Sequence, residues 1–317
     1  MSQISTPDER APEYDEFGFL GTYAKYEGIP WHGRPVVRRE SVSVDGIRLS
    51  GLVWGTESPQ LAFLHGSGQN AHTWDSVAMV LNRPLIAVDL PGHGHSDWRE
   101  DQDYRPATNA VTVGGWLNRL PSDPRVLVGM SLGGLTAIAV AAAGGSSFTH
   151  LVIVDITPGV GRRERPPEQR PEGVVRLING QRTFSTFDEM LQATAALAPN
   201  RPVESLRPGV LHNSRQLADG RWSWRYDQAG MATRMSAPAT EVPPMERLWD
   251  DLSRISAPIM LVRGGNSKVV SPEDQAEFLR HKPGARVEVV EGAGHSVQSD
   301  RASRLAELIT DFSRSAG

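Results

Sequence analysis

The sequence predicts an α/β fold: a mostly parallel, doubly wound sheet of about eight strands that carries an inserted, largely helical cap. Three observations carry this. Short apolar runs alternate with helix-length stretches through the first half of the chain, the alternation stops after Asp155, and it resumes at Pro258. With 317 residues the chain suits one core domain plus an insertion.

Residues 1–35 form an N-terminal arm. It is polar but carries Tyr14, Phe17, Phe19, Tyr23, Tyr26 and Trp31, too many aromatics for a free tail, so it is expected to lie across the core. The first part of the core spans 36–156. Val36–Val44 alternates apolar and polar, and Asp45-Gly46 turns it into Ile47–Trp54 as a hairpin. Leu61–Leu64, Leu85–Asp89, Arg125–Met130 and Leu151–Asp155 are short apolar runs of the kind buried on both faces of a parallel sheet. Between them, His72–Leu81, Thr108–Leu120 and Leu132–Ala143 have helix length.

Residues 157–250 break the rhythm. The segment opens on the Pro/Arg-rich string TPGVGRRERPPEQRPEG and contains helical pieces such as Phe187–Leu197 and the aromatic run Trp222, Trp224, Tyr226. An insertion at the C-terminal edge of a parallel sheet sits where such sheets place ligands, so it reads as a cap. The core resumes over 251–317. Pro258–Val262 and Ala285–Val290 are strands, Ser271 caps a helix that runs to His281, and Val297–Phe312 is the last helix.

Composition excludes several function classes. The balance of 33 Lys+Arg against 37 Asp+Glu, a net charge of -4, carries no nucleic-acid footprint. With no cysteine, there is no disulfide, no Cys-ligated zinc and no thiol nucleophile, which fits a reducing cytoplasm. The string MSQISTPDERAPEYDEFG has no apolar signal core, and Leu135–Ala143 is too short to span a bilayer, so a soluble, cytoplasmic protein is expected.

The chemistry gathers around Gly129-Met130-Ser131-Leu132-Gly133-Gly134, between a predicted strand and a predicted helix. A serine on so sharp a turn exposes its hydroxyl, and the closely approaching strand and helix require glycine two residues to either side. Three further segments follow a consistent pattern: Leu64-His65-Gly66-Ser67-Gly68, then Asp89-Leu90-Pro91-Gly92-His93-Gly94-His95-Ser96, and finally Glu291-Gly292-Ala293-Gly294-His295. In this order the four resemble the α/β-hydrolase superfamily over most of residues 36 to 314, and the motif around Ser131 resembles its broad-specificity serine carboxylesterases.

The resemblance implies Ser131 as nucleophile, His295 as its general base, and the backbone N–H groups of Leu132 and Ser67 as the oxyanion hole, with Gly68 an alternative to Ser67. His65, His93 and His95 lie in loops where histidine ties backbone together. The acid departs from the commonest pattern. It usually follows the strand matched by Pro258–Val262, but there the chain reads Arg263-Gly264-Gly265-Asn266-Ser267-Lys268, with Ser267 in the slot. Glu273 and Asp274 are explained by helix capping. The resemblance offers a second place for the acid, the end of the preceding core strand: there Asp155 closes the apolar run Leu151–Val154, and Asp155-Ile156-Thr157-Pro158 resembles a group of carboxylesterases that place the acid there.

The expected activity is hydrolysis of a carboxylic ester of a small, partly apolar molecule through an acyl-enzyme, with thioester and lactone left open. Trp222 and Trp224, with Trp74 and Met130 near the elbow, suit an apolar substrate group, although packing inside the cap explains such aromatics equally well. Serine rather than aspartate at 131 argues against dehalogenase and epoxide-hydrolase chemistry. Two alternatives stay open: perhydrolysis or carbon–carbon cleavage on the same triad, and a hydrolase-fold receptor with little turnover. No cofactor and no metal are expected, because no H-E-x-x-H or similar spacing occurs; homo-oligomerisation is left open.

Overall fold

The computed structural model describes residues 14–122, 124–144, 148–160, 180–198, 201–235 and 246–314. The expectations for residues 1–13 and for the Pro/Arg-rich stretch 161–179 lie outside the described residues.

Eight strands form the main sheet: β1 (Val37–Val44), β2 (Ile47–Trp54), β3 (Leu61–Leu64), β4 (Leu85–Asp89), β5 (Val126–Met130), β6 (His150–Val154), β10 (Ile259–Gly264) and β11 (Arg286–Val290). Their spatial order is β1-β2-β4-β3-β5-β6-β10-β11. From β4 to β11 every neighbouring pair is parallel, while β2 runs antiparallel to both β1 and β4. The fold is thus the expected α/β one, with the hairpin at one edge. The four central strands β3, β4, β5 and β6 are buried at every residue, which is why they read as unbroken apolar runs.

Helices cover both faces. One face carries α3 (Pro106–Leu117), α4 (Leu132–Ala142), α8 (Glu246–Arg254) and α9 (Pro272–His281), packed through Val113, Leu135, Ile138, Trp249 and Phe278. The other carries α1 (Leu20–Glu27), α2 (Asp75–Leu81) and α11 (Ala302–Arg314), through Leu20, Val77, Leu305 and Phe312. The arm therefore contributes a helix to the core, with Leu20 and Ala24 both 1 % exposed.

Two helix boundaries differ from expectation. Asn70 accepts the His72 N–H, which makes a 3-10 turn of Ala71–Trp74 before α2 begins. The single helix expected over Val297–Phe312 is split into α10 (Val297–Asp300) and α11, because Arg301 leaves helical geometry where Asp300 turns its carboxylate back to the Gly294 N–H.

Between β6 and β10 the described residues form α5 (Phe187–Ala195), α6 (Val203–His212), α7 (Gln228–Met235) and a small antiparallel sheet of β7 (Thr183–Phe184), β9 (Trp222–Trp224) and β8 (Ser214–Gln216), in that order. This insertion has its own apolar cluster, built from Phe184, Met190, Leu206, Val210, Trp224 and Tyr226. Tyr104 of the core joins that cluster, and its hydroxyl donates to Asp227 at 2.7 Å. The Trp222-Ser223-Trp224 alternation proves to be a short strand.

Strand β5 and helix α4 meet at backbone distance. A Cβ on Gly129 would run into the Gly133 carbonyl, and a Cβ on Gly133 into the Leu64 carbonyl. By contrast, a Cβ on Gly114, inside α3, meets nothing within 4 Å. Gly129→Ala should therefore cost about 2–3 kcal/mol or more through overpacking, whereas Gly114→Ala should gain about 0.5–1 kcal/mol from helix propensity. Thermal unfolding of the two variants checks this: a lower Tm is expected for the first and a higher one for the second.

Candidate active site

The register of the parallel strands sets the site. Leu64 pairs with Gly129, Met130 with Val154, and Val154 with Val262, so the chain leaves β3, β5, β6 and β10 at one level of the sheet's C-terminal edge. Ser131 is the first residue beyond β5. Its φ of 52° and ψ of -120° put it in a region that L-residues other than glycine rarely enter. Its own N–H donates to Val154 O at 3.1 Å. Leu132 opens α4, so its N–H has no intrahelical acceptor.

Asp155 follows β6 and is completely buried, with φ 51°. Three donors converge on its carboxylate. Gly264 N–H reaches Oδ1 at 3.0 Å, the Ser267 hydroxyl reaches Oδ2, and His295 Nδ1 lies 2.8 Å from Oδ2. Because a carboxylate only accepts, Nδ1 carries the His295 proton and Nε2 is left as the basic nitrogen. Ser267, in the slot where the resemblance most often puts an acid, thus donates to the Asp155 carboxylate. Asp274 instead closes a reciprocal capping box with Ser271 at the start of α9.

The loop after β3 packs against Ser131: a Cβ on Gly66 would lie 3.2 Å from that of Ser131 and 2.6 Å from Met130 Sδ. Residues 66–69 form a β-turn closed by Gln69 N–H to Gly66 O at 3.2 Å, with Gly68 at φ 71°. The Gln69 side chain takes the Gly66 N–H at 3.0 Å and donates to Ser296, beside His295, at 3.4 Å. Leu90 N–H donates to His65 Nε2 at 2.9 Å, so His65 Nδ1 is protonated and donates to Gly66 O at 2.8 Å. Burial holds His65 below its ordinary pKa, and burial together with His65 holds His93 well below. Both are neutral struts between loops. Among the described residues the Ser67 and Leu132 N–H groups have no protein acceptor.

A cavity of about 260 Å³ opens beside this loop. It is lined by Gly68, Gln69 and Ser296 on the core side and by Leu206, Val210 and Trp224 of the insertion. Of the four substrate residues suggested by sequence, only Trp224 reaches it. Trp74 is fully buried against Phe63, with ring centroids 4.9 Å apart. Met130 is 1 % exposed under Gly66. Trp222 packs edge-on against Phe187.

A charged cluster that sequence did not suggest adjoins the cavity through His72. Arg39 bridges Glu16 at 2.6 Å and Asp89 at 2.7 Å. Asp89 also accepts the Ala71 and His95 N–H groups, joining the loops after β3 and β4. His72 stands between Asp75 at 2.8 Å and Glu16 at 3.2 Å, and these carboxylates overcome burial to raise its pKa. His212, at the end of α6, stacks on it at 3.7 Å, and burial with the His72 charge keeps His212 well below its ordinary value. Among the described residues His72, Asp75 and His212 are the one group of metal-type ligands within reach of a common ion. The two rings are stacked 8° from parallel, so their in-plane lone pairs do not converge. Among the described residues no helix is long and apolar enough to cross a membrane.

Residues 61–308 match the alpha/beta hydrolase family. The esterase Rv0045c of Mycobacterium tuberculosis is 44 % identical over 303 residues, covering 95 % of this chain and 97 % of that protein. A solved structure of the same esterase superposes with a TM-score of 0.80 over 95 % of this chain and 99 % of its own. A mouse sn-1-specific diacylglycerol lipase, ABHD11, is 28 % identical, covering 80 % of each chain. The thioesterase domain from the curacin biosynthetic pathway, 25 % identical, superposes with a TM-score of 0.72 over 87 % of this chain and 99 % of its own.

The stacked histidines give a pH prediction. His212 stays neutral in the fold, while in the unfolded chain it takes a proton below about pH 6.5. The folded state then binds fewer protons, so stability falls as pH drops below that value. His212→Gln should shrink the loss of stability between pH 7 and pH 5 by up to about 2 kcal/mol, read as a smaller fall in Tm. An unchanged fall would mean that His212 is protonated in the fold.

Proposed function

The chain belongs to the alpha/beta hydrolase family, and we propose that it cleaves carboxylic esters through an acyl-enzyme on Ser131, with His295 as general base and Asp155 as the acid that orients it. That it is an ester-hydrolysing enzyme rests on this membership and on the extent of its identity to a named esterase. The observation that carries the finer reading is the bond from His295 to the fully buried Asp155, formed at the edge where Ser131 turns out of β5.

In this mechanism Ser131 Oγ attacks the ester carbonyl carbon and its proton passes to His295 Nε2. The carbonyl oxygen becomes an oxyanion held by the Leu132 and Ser67 N–H groups, at the positive end of α4. Collapse breaks the bond to the alcohol oxygen, which leaves with the proton from His295. Water then repeats the cycle on the acyl-enzyme and releases the acid. Asp155, fixed by Gly264 and Ser267, keeps Nδ1 protonated and stabilises the imidazolium.

The insertion, placed by sequence at residues 157–250, serves as a cap, except that Glu246 to Asp250 belong to α8, which packs on the main sheet. Described parts of the insertion wall the 260 Å³ cavity beside the proposed oxyanion loop. Its size and its mixed lining of Leu206, Val210, Gln69 and Thr73 suit a short substrate chain. The activities named for the relatives, on esters and on a thioester, fit one acyl-transfer site with different pockets.

The test is direct. Ser131→Ala should lower kcat by about 10⁶-fold and Asp155→Asn by up to about 10⁴-fold, both with the fold intact. Substitution of Glu273 should cost little, and p-nitrophenyl butyrate should be turned over faster than the palmitate. Retained turnover in Ser131→Ala, or a failure of fluorophosphonate to label Ser131, would remove the serine mechanism.

A further inference from the structure

The proposed oxyanion loop is a turn, and a turn presents its N–H groups correctly only if its peptides cannot rotate. Two of the polar groups around it are tied from the core. Gly66 N–H is held by the Gln69 side chain, and Gly66 O by the Gln69 N–H and His65 Nδ1. A third, Gly68 O, is tied from outside the core. The Asn213 amide of the insertion donates to it from Nδ2 at 2.5 Å. Asn213 Oδ1 in turn accepts from Asn70 Nδ2 at 3.3 Å, which fixes which way the amide points.

Asn213 is held as firmly on its own side. It ends α6, its N–H bonds back to Gly209 and Val210, and its carbonyl accepts the Arg225 N–H at 2.9 Å. It is 9 % exposed and also lines the cavity, and both ends of its amide are engaged, Nδ2 by Gly68 O and Oδ1 by Asn70. Gly68, at φ 71°, is the residue whose peptide would otherwise rotate most freely.

We infer that Asn213 is a positioning residue for catalysis: by clamping Gly68 O it holds the turn so that the Ser67 N–H faces the oxyanion. The insertion thereby takes part in transition-state stabilisation as well as walling the cavity. This rests on the serine-esterase reading above.

The experiment uses the full chain with p-nitrophenyl butyrate, and with an alkyl trifluoromethyl ketone that forms an anionic tetrahedral adduct. Asn213→Asp keeps the size and the acceptor for Asn70 but loses the donor. It should lower kcat per titrated active site about 10- to 100-fold, leave KM within about threefold, and raise the ketone Ki by the same factor as kcat falls. Asn70→Asp keeps the acceptor for the His72 N–H but no longer steers the Asn213 amide, and should show a smaller loss of the same kind. Wild-type kcat in Asn213→Asp overturns the inference, as does a rise in KM with kcat and Ki unchanged. Should Asn213→Asp fail to fold, wild-type kcat and Ki in Asn70→Asp overturn it equally. Failure of the underlying reading is separate, because it shows as turnover retained in Ser131→Ala.

Discussion

Much of the site descends from one steric fact, the contact between the end of β5 and the start of α4. With no side chain at Gly129 or Gly133, the helix backbone reaches the strand and also the carbonyl of Leu64 on the next strand. The chain has a single residue in which to turn, and Ser131 takes a conformation that costs on the order of 1–3 kcal/mol. Packing offsets that strain: from Gly133 to Val140 every residue of α4 is buried. The same contact brings the loop after β3 beside Ser131 and leaves the Leu132 N–H at the open end of the helix. The Ser131 hydroxyl and the proposed oxyanion donors thus share one steric origin.

A second constraint is the burial of carboxylates along that edge. Asp155 and Asp89 are both wholly buried, and an unpaired buried carboxylate would cost several kcal/mol. Each is surrounded by donors drawn from different segments: Gly264, Ser267 and His295 for Asp155, and Ala71, His95 and Arg39 for Asp89. The charge and its partners therefore order the loops they connect. This also accounts for Ser267. A carboxylate at that position would face Asp155 across a dry space, and the two could not both ionise there. A hydroxyl donates where a second acid would repel, so the serine at 267 and the acid at 155 belong together.

What could be read in advance follows from the range of the interactions involved. The apolar runs of β3 to β6, the Asp45-Gly46 turn and the Ser271 cap depend on neighbours in sequence, and they appear where the pattern puts them. The elbow was legible because its glycines report a contact made within a few residues. The carboxylate facing His295 was reached through the family resemblance, which offers the end of that strand as a second place for an acid, and through the need of an acid closing an apolar strand for a partner. Trp74 was misjudged as a substrate contact because proximity to a loop does not say which way a side chain turns; it turns into the core against Phe63. Glu16, Arg39, His72 and His212 gave no signal, because their contacts join the arm, the core and the insertion across long separations. Asn213 was hidden for the same reason.

The insertion is fastened to the core at two loops, and the choice of loops matters. Asp227 takes the Tyr104 hydroxyl and donates its N–H to Gly92 O, on the loop after β4. Asn213 grips Gly68 O, on the loop after β3. Between these anchors run β8 and β9, and Trp224 is buried in the insertion's cluster while also facing the cavity. Wall and donor loop are therefore one mechanical unit. An insertion that could lift away freely would take the restraint on Gly68 with it and loosen the turn that carries Ser67. On that view the donor geometry is set before substrate arrives, as a preorganised oxyanion hole requires.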